Sequence, residues 1–161
     1  MSVAYAEMLN GAPLARRAPG ARHELVCGRL HQWVRASVAD FAGTRLLAPR
    51  SELKLSWKHA VCPDLALVTT ATGKLWLAAE IVSADDHQPD TVIKKQIYEE
   101  MRLPRLWMID PRYDNVEVYH CNEYGLILKG ILAGHELLTE KLLPEFQLTI
   151  TELFAVEPPR G

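Results

Sequence analysis

The chain has 161 residues, of which 48% are hydrophobic and 24% charged, a composition typical of a soluble globular domain with its own core. No apolar run approaches the roughly 20 residues of a membrane helix, and the first residues lack the pattern of a secretory signal. Three widely spaced cysteines, without zinc-ligand spacing, argue against a disulfide framework or structural zinc site. We therefore predict a single cytoplasmic domain over 1–161, with no membrane partner.

The charged residues are unevenly distributed along the chain. The formal net charge is −2, yet residues 1–62 hold nine Lys and Arg against four Asp and Glu. A basic N-terminal part of this kind could bind phosphates while the acidic remainder faces solvent. The alternative is that these arginines belong to an ordinary solvated surface.

The first elements combine irregular chain, one helix and short strands. Residues 1–22 are punctuated by proline, glycine and arginine, and we predict an irregular N-terminal segment that includes one short strand or helical turn. Apolar residues recur at helical spacing over 23–42, and Gly43 indicates the end of that helix. Residues 46–47 and 52–57 are predicted to form a pair of strands.

The second half of the chain alternates buried strands with one helix. Continuous apolar runs predict three buried strands, over 65–70, 75–82 and 106–110. Pro89 suits the first turn of a helix that runs to about Arg102. A hairpin over 115–132 follows, and the tail 142–154 is predicted to hold a short strand and a final helical turn. This order predicts the α/β class, with a central mixed sheet flanked by helices and a C-terminal β-hairpin.

Two acidic residues lie within or beside these apolar strands. Asp64 directly precedes the strand 65–70, and Glu80 lies inside the strand 75–82. Carboxylates are rarely buried unless they are paired or bind a metal. Lys94 follows in the next helix, and two carboxylates with a nearby lysine are what a magnesium-dependent phosphodiester hydrolase needs. The alternatives for Glu80 are an exposed edge position or a purely structural ion pair with Lys94.

The helix after Pro89 presents a polar face. Asp90, Lys94 and Tyr98 are spaced by four residues, so we predict that they share the face that packs on the strands. Lys95 points about 100° away and is predicted to lie on the surface, although it is the alternative catalytic lysine.

Four tryptophans are distributed along the chain, and we predict that they belong to the core. They are Trp33, Trp57, Trp76 and Trp107. Trp57 has an alternative role, because its neighbour Lys58 would favour contact with a base or sugar of a nucleic acid.

A series of short motifs runs in order through the chain. The motifs are Pro63-Asp64, Ala79–Ser83, Asp90 with Lys94 and Tyr98, Leu106–Pro111, Val116–Tyr119, and Leu143-Pro144 with Glu152–Phe154. This series resembles the Uma-type family of restriction-endonuclease-like proteins, within the PD-(D/E)XK nuclease superfamily. Upstream, Glu7–Gly11 is similar to the family's early turn, and His23 to the histidine that opens its first long helix.

The resemblance implies a restriction-endonuclease-like core, a DNA substrate, Mg²⁺ or Mn²⁺ as cofactor, and a homodimer. It implies that Asp64, Glu80 and the backbone carbonyl of Ile81 bind the cation, and that Lys94 joins the two acids as a catalytic residue. The superfamily's lysine normally lies two residues after the second acid, where this chain has Val82. In Uma-type sequences the lysine lies in the following helix instead, which fits Lys94. Supporting roles are implied for Glu7, His23, Glu24, Asp90 and Tyr98.

Three functional hypotheses remain open at this stage. The first is a divalent-metal-dependent endonuclease that hydrolyses DNA phosphodiester bonds. The second is a non-catalytic nucleic-acid-binding or interaction protein on a nuclease-like fold, which the displaced lysine and the negative net charge favour. The third is hydrolysis of a smaller phosphoester, because a negative net charge is unusual for a protein that binds long DNA. For the first hypothesis, we expect loss of Lys94 to abolish catalysis and to leave the fold intact.

Overall fold

The chain forms many short strands and few helices. The computed structural model describes residues 3–39, 41–83 and 87–156. The strands of this part are β1 (Tyr5–Leu9), β2 (Ala12–Arg16), β3 (Thr44–Leu46), β4 (Leu53–Lys54), β5 (Ala60–Val61), β6 (Leu65–Thr69), β7 (Leu75–Ile81), β8 (Arg105–Asp110), β9 (Asn115–Asn122), β10 (Gly125–Ala133), β11 (Leu137–Glu140) and β12 (Leu143–Thr149). The helices are α1 (Ala21–Val38), α2 (Lys95–Glu100) and α3 (Ile150–Phe154), with a π-helical segment, Pro89–Lys94, directly before α2.

A six-stranded mixed sheet forms the centre of the molecule, in the order β10-β9-β8-β7-β6-β3. β7 and β8 run parallel, and the other neighbouring strands are antiparallel. A parallel pair needs a crossover connection, which the π-helical segment and α2 supply. Every residue of β7 is buried, because this strand has packed layers on both faces, and its sequence is therefore almost continuously apolar.

Separate apolar cores cover the two faces of the central sheet. On one face, α1, β12 and α3 pack against residues such as Leu77. The rings of Trp107 and Phe146 stack in this core with their centroids 5.4 Å apart. On the other face, Ala78 packs with Tyr98 of α2 and with residues of a second sheet, whose order is β2-β1-β5-β4. Alternate residues of β7 thus point into different cores, as the period of a strand requires.

The N-terminal segment is more regular than the sequence indicates. β1 and β2 form an antiparallel hairpin, so the prediction of an irregular segment over 1–22 is wrong for this part. Asn10 and Gly11 form the turn with φ angles of 55° and 80°, a conformation that glycine adopts without strain. Pro13 lies in β2 at the edge of the smaller sheet, where a proline is tolerated.

The helix that follows Pro89 begins at the predicted place but is not α-helical throughout. The segment Pro89–Lys94 is π-helical, and regular α-helix runs only over Lys95–Glu100. Asp90, Lys94 and Tyr98 are nevertheless all buried, whereas Lys95 is partly exposed. The predicted shared face is confirmed in spite of the wider helical turn.

Other boundaries and pairings differ from the predictions. α1 ends at Val38 rather than near residue 42. β3 pairs with β6, and β4 pairs with β5, so the predicted pairing of the segments 46–47 and 52–57 is wrong. The strand β11 was not predicted, although it forms a C-terminal hairpin with β12. The predicted hairpin over 115–132 is confirmed by β9 and β10. A polar loop over 83–88 is also predicted from the sequence, and its residues 84–86 lie outside the described part.

The four tryptophans divide into buried and exposed pairs. Trp76 and Trp107 are buried, as predicted, but Trp33 is 40% exposed and Trp57 is 86% exposed. The assignment of Trp33 and Trp57 to the core is therefore wrong.

Among the described helices, none has the length and apolar character required to cross a membrane.

Candidate active site

Asp64 and Glu80 lie opposite each other on neighbouring strands. β6 and β7 are antiparallel with Leu65 opposite Ala79, so Asp64, directly before β6, faces Glu80 at the next position of the register. Side chains at opposed positions of an antiparallel pair emerge on the same side, with Cβ atoms about 4.5–5.5 Å apart. The register therefore places Asp64 and Glu80 at adjacent positions of the sheet.

Asp64 is held by donors from three directions. Its Oδ2 accepts a hydrogen bond from Ile81 N at 2.8 Å, and its Oδ1 accepts one from Arg50 Nη1 at 3.0 Å. His23 Nε2 lies 3.5 Å from the same Oδ2 and donates to the carbonyl oxygen of Ile81 at 3.1 Å. Burial opposes the charge of Asp64, but His23 and Ile81 N outweigh it and lower the pKa of Asp64. Asp64 is therefore a carboxylate at neutral pH.

Glu80 is contacted by side chains of the π-helical segment and of α2. Lys94 Nζ lies 2.7 Å from Glu80 Oε2, and Tyr98 OH donates to the same oxygen at 2.5 Å. Glu80 is only 1% exposed, and this burial raises its pKa to about 8 against the attraction of Lys94. The positive charge near Glu80 is thus too small to keep the carboxylate fully ionised at neutral pH.

Lys94 lies between two acidic side chains. Its Nζ is 2.7 Å from Glu80 Oε2 and 2.7 Å from Glu7 Oε2, and the side chain is completely buried. Burial would favour the neutral amine, but Glu80 and the other nearby acids raise the pKa of Lys94 well above its ordinary value. Cys62 N donates to the same Glu7 oxygen at 2.7 Å. Lys94 is therefore a fixed ammonium group within the core.

The β1–β2 hairpin adds a second buried cation, Arg16. Its Nη1 pairs with Glu7 Oε1 at 2.6 Å, and its Nη2 pairs with Asp90 Oδ2 at 3.0 Å. Sequence analysis missed Arg16, because it is one of many arginines near the N-terminus and the short β2 shows no clear burial period. Its contacts place the predicted supporting residues Glu7 and Asp90 around Lys94.

Acidic groups outnumber basic ones in this buried cluster. Glu7, Glu80 and Asp90 have only Lys94 and Arg16 as ion-pair partners among the described residues. Burial raises the pKa of Asp90 as well as that of Glu80. Uncompensated negative charge is costly away from water, so protonation of one acid or binding of a cation would stabilise the cluster.

The oxygen donors at the site are of the kind that Mg²⁺ and Mn²⁺ prefer. They are the carboxylates of Asp64 and Glu80 and the carbonyl oxygen of Ile81. Lys94 and Tyr98 both contact Oε2 of Glu80, so Oε1 has no hydrogen-bond partner in the described part of the chain. Over the same residues, no group of three or more His, Cys, Asp and Glu side chains is arranged to hold a metal ion. Two carboxylates and one carbonyl suffice for Mg²⁺, which usually keeps several waters.

The remaining predicted residues lie on the Asp64 side or away from the site. Glu24 Oε1 pairs with Arg50 Nη2 at 2.7 Å, which connects it to Asp64 through Arg50. Lys95, the alternative lysine, has its Nζ 4.5 Å from the ring centroid of Tyr119. Sequence analysis also missed Arg50 and His31, whose Nε2 donates to the carbonyl oxygen of Asp64 at 2.6 Å.

A cavity of about 730 Å³ opens beside Asp64. His23 and Ile81, which both contact Asp64, form part of its wall. Four arginines, Arg16, Arg17, Arg22 and Arg112, line the cavity, and no acidic residue is among the described residues of the wall. Asp64, Glu80 and Lys94 do not line the cavity, which approaches Asp64 through His23 and Ile81.

The model of one protein family, described as "Uma2: Putative restriction endonuclease", matches residues 3–151. The chain belongs to the Uma2 family. A solved protein from Anabaena variabilis ATCC 29413, described as a putative nuclease belonging to DUF820, is similar to this Uma2 chain with a TM-score of 0.77 and 17% identity. The match covers 93% of this chain and 89% of that one. No curated protein matches the chain.

These matches confirm two of the predictions. The Uma2 match confirms the family predicted from the ordered motifs. The structural match confirms the predicted α/β fold with a central mixed sheet. Because the sequence identity is low, this match is evidence for the fold alone. The family and the fold are thus established, whereas the roles of Asp64, Glu80 and Lys94 stay predictions.

Proposed function

We propose that this Uma2 protein is a divalent-cation-dependent endonuclease that hydrolyses phosphodiester bonds of DNA. The observation that supports it best is a buried cluster with more acids than bases, placed beside a cavity lined by arginines. The cluster is suited to a cation and the cavity to a polyanion, which are the two components that a nuclease must bring together.

Asp64, Glu80 and the carbonyl oxygen of Ile81 would hold the cation. When bound, Mg²⁺ or Mn²⁺ would polarise the substrate phosphate and lower the pKa of a bound water. Tyr98 fixes Oε2 of Glu80 by its hydrogen bond, and Oε1 would be the oxygen that binds the cation. His23 and Ile81 N lower the pKa of Asp64 and keep it ionised, and the hydrogen bond from Arg50 helps to orient it.

Lys94 provides the fixed positive charge of the proposed mechanism. Phosphodiester hydrolysis adds negative charge to the phosphoryl oxygens in the transition state, and a pre-positioned cation stabilises that charge. Glu7 and Glu80 hold Lys94 Nζ from two sides, so little reorganisation is needed during the reaction. Arg16 positions Glu7 and Asp90 and so acts on Lys94 indirectly.

A plasmid-nicking assay with Mg²⁺ or Mn²⁺ tests the proposal. We expect wild-type protein to convert supercoiled DNA to nicked and linear forms, and Asp64→Asn and Glu80→Gln to lose at least about 100-fold in rate, the scale of one lost transition-state contact. Glu123→Gln, in the exposed turn between β9 and β10, is the matched control and should cut like wild type. Calorimetric titration with Mn²⁺ should give binding heat for wild type and none for the double variant Asp64→Asn/Glu80→Gln.

Two results would contradict the proposal. Undiminished nicking by Asp64→Asn or Glu80→Gln would show that the cleavage occurs elsewhere or comes from a contaminant. Equal Mn²⁺ heats for wild type and the double variant would exclude this metal site.

A non-catalytic nucleic-acid-binding protein is the second candidate function. The observation that favours it is the extensive internal pairing of the carboxylates, which are almost inaccessible at 3% exposure for Asp64 and 1% for Glu80. This candidate predicts DNA binding without cleavage in the presence of any divalent cation. The nicking assay, combined with a binding measurement on the same preparation, distinguishes the two candidates.

A further inference from the structure

We propose that the arginine-lined cavity beside Asp64 takes a single-stranded stretch of nucleic acid, and that Arg17 binds its phosphate next to the bond that is cut. This inference rests on the proposed nuclease function, because it names the form of substrate that reaches the same site. It also assigns a role to Arg17, which belongs to none of the sequence motifs described above.

The depth of the site favours a flexible strand. Asp64 and Glu80 are almost fully buried, and the cavity wall meets Asp64 at His23 and Ile81. A phosphate in the cavity would approach Asp64 past His23 and Ile81. Double-stranded DNA is stiff over about 50 nm, so its backbone enters a space of this size only where the two strands separate locally. Enzymes that act at buried sites accept single strands or take the target nucleotide out of the duplex.

The size of the cavity fits a short segment of a single strand. Its volume of about 730 Å³ lies within the range of about 300–1,000 Å³ that is typical of pockets for small ligands. Tyr5 lines the cavity with Pro111, and the Arg16 guanidinium lies 5.8 Å from the centroid of the Tyr5 ring. A positively charged groove with an aromatic ring is the usual arrangement for binding single strands, because every base can stack on the ring.

Arg17 differs from the other arginines of the cavity. Arg16 pairs with Glu7 and Asp90, and the two remaining arginines of the wall pair with Asp114 and Asp110. Arg17 is exposed and, among the described residues, has no ion-pair partner. Its guanidinium can bind a phosphate without first breaking an internal pair, and arginine can do so through two parallel hydrogen bonds.

Equilibrium binding without a divalent cation tests the inference. Fluorescence anisotropy in EDTA would compare a labelled oligothymidylate of about 12 nucleotides, within the length covered by single-strand grooves, with a labelled duplex of the same length. We expect wild type to bind the single strand at least about tenfold more tightly than the duplex. Arg17→Gln should weaken single-strand binding about tenfold and reduce the slope of log affinity against log salt by about 0.7, the value for one phosphate contact on a single strand.

The controls separate a specific contact from general charge. Arg35→Gln removes the same charge from an exposed position of α1 outside the cavity, and it should bind like wild type. Tyr5→Leu keeps apolar volume but removes the stacking ring, so it should weaken single-strand binding by more than about fivefold. Circular dichroism should show the wild-type fold for each variant.

The inference is overturned if the duplex binds as tightly as the single strand, or if Arg17→Gln binds no more weakly than Arg35→Gln. Failure of the proposed function gives a different result. In that case the preference for single strands and the Arg17 effect persist in EDTA, while no cation supports nicking. Conversely, rapid nicking of duplex plasmid by a protein without single-strand preference would refute this inference and leave the nuclease proposal standing.

Discussion

Replacing Lys94 with methionine is expected to destabilise the protein strongly. The side chain is fully buried, with Nζ 2.7 Å from both Glu7 and Glu80. Removing one partner of a buried ion pair costs about 3–5 kcal/mol, because the other charge stays buried without compensation. Arg16 still neutralises Glu7 in the variant, so we expect a loss of about 4 kcal/mol in the free energy of unfolding. The burial of Lys94 thus corrects the expectation that its loss leaves the fold intact.

The loss caused by Lys94→Met should depend on pH. Burial already raises the pKa of Glu80 from 4.5 to about 8, and removal of Lys94 raises it further. A carboxyl group with a raised pKa in the folded state takes up a proton there before it does so in the unfolded chain. Protonation therefore favours the folded variant. Between pH 4.5 and about 8 the folded forms of both proteins hold this proton, so the difference in stability between variant and wild type stays constant there. Above about pH 8 folded wild type releases the proton and the folded variant keeps it, so the difference should grow.

Urea denaturation followed by tryptophan fluorescence measures this effect, because Trp76 and Trp107 are buried. Wild type, Lys94→Met and Lys95→Met would be compared at about pH 9 and about pH 7. Lys95→Met is the matched control, and its partly exposed side chain should contribute less than about 1 kcal/mol. Equal stability of the two variants at both pH values would refute the ion-pair cluster as the reason for burial of Lys94.

Three further changes test other parts of the structure. Gly125→Ala should lose about 1–3 kcal/mol, measured by urea denaturation, because φ is 114° and a Cβ would lie 2.8 Å from Glu99 Oε2. Gly130→Ala, where a Cβ meets open space, is its control, and equal losses in both would contradict this reasoning. Burial lowers the pKa of His31 below 6.5, so wild type should lose stability as the pH falls from 6.5 through that pKa. His31→Gln should show a flatter pH dependence of the melting temperature, and an unchanged profile would exclude His31 as the cause. Arg16→Lys cannot keep the two-sided contact with Glu7 and Asp90, so it should lose about 2 kcal/mol in urea denaturation, and wild-type stability would contradict the assignment.

The parts of the fold that could be predicted are those where burial dictates the sequence. β6, β7 and β8 have packed layers on both faces, so they appear as continuous apolar runs. The strands of the β1–β2 hairpin are partly exposed and only five residues long. Their alternation of apolar and polar residues is therefore too short to predict a strand. The π-helical segment was not predictable either, because its residues are compatible with an ordinary helix and tertiary packing selects the wider turn.

The candidate site was partly predictable for a similar reason. Asp64 and Glu80 are conspicuous in the sequence because Asp64 adjoins an apolar run and Glu80 interrupts one. Lys94 could be predicted because it follows Asp90 at helical spacing. Arg16 gave no such signal, since its partner Asp90 is 74 residues away and only the docked hairpin brings the two together. Arg50 was missed for the same reason, because it lies in a loop whose position depends on tertiary contacts.

The long sequence separations within the charged cluster have a consequence for folding during synthesis. At about 5–20 residues per second, Arg16 is made roughly 4–15 seconds before Asp90. The chain must lose the entropy of closing a long loop before such contacts form, and contacts of this kind are late events in folding. In an unfinished chain the acidic and basic side chains of the cluster are therefore still separated. The candidate site forms only when the β1–β2 hairpin docks onto the completed central sheet.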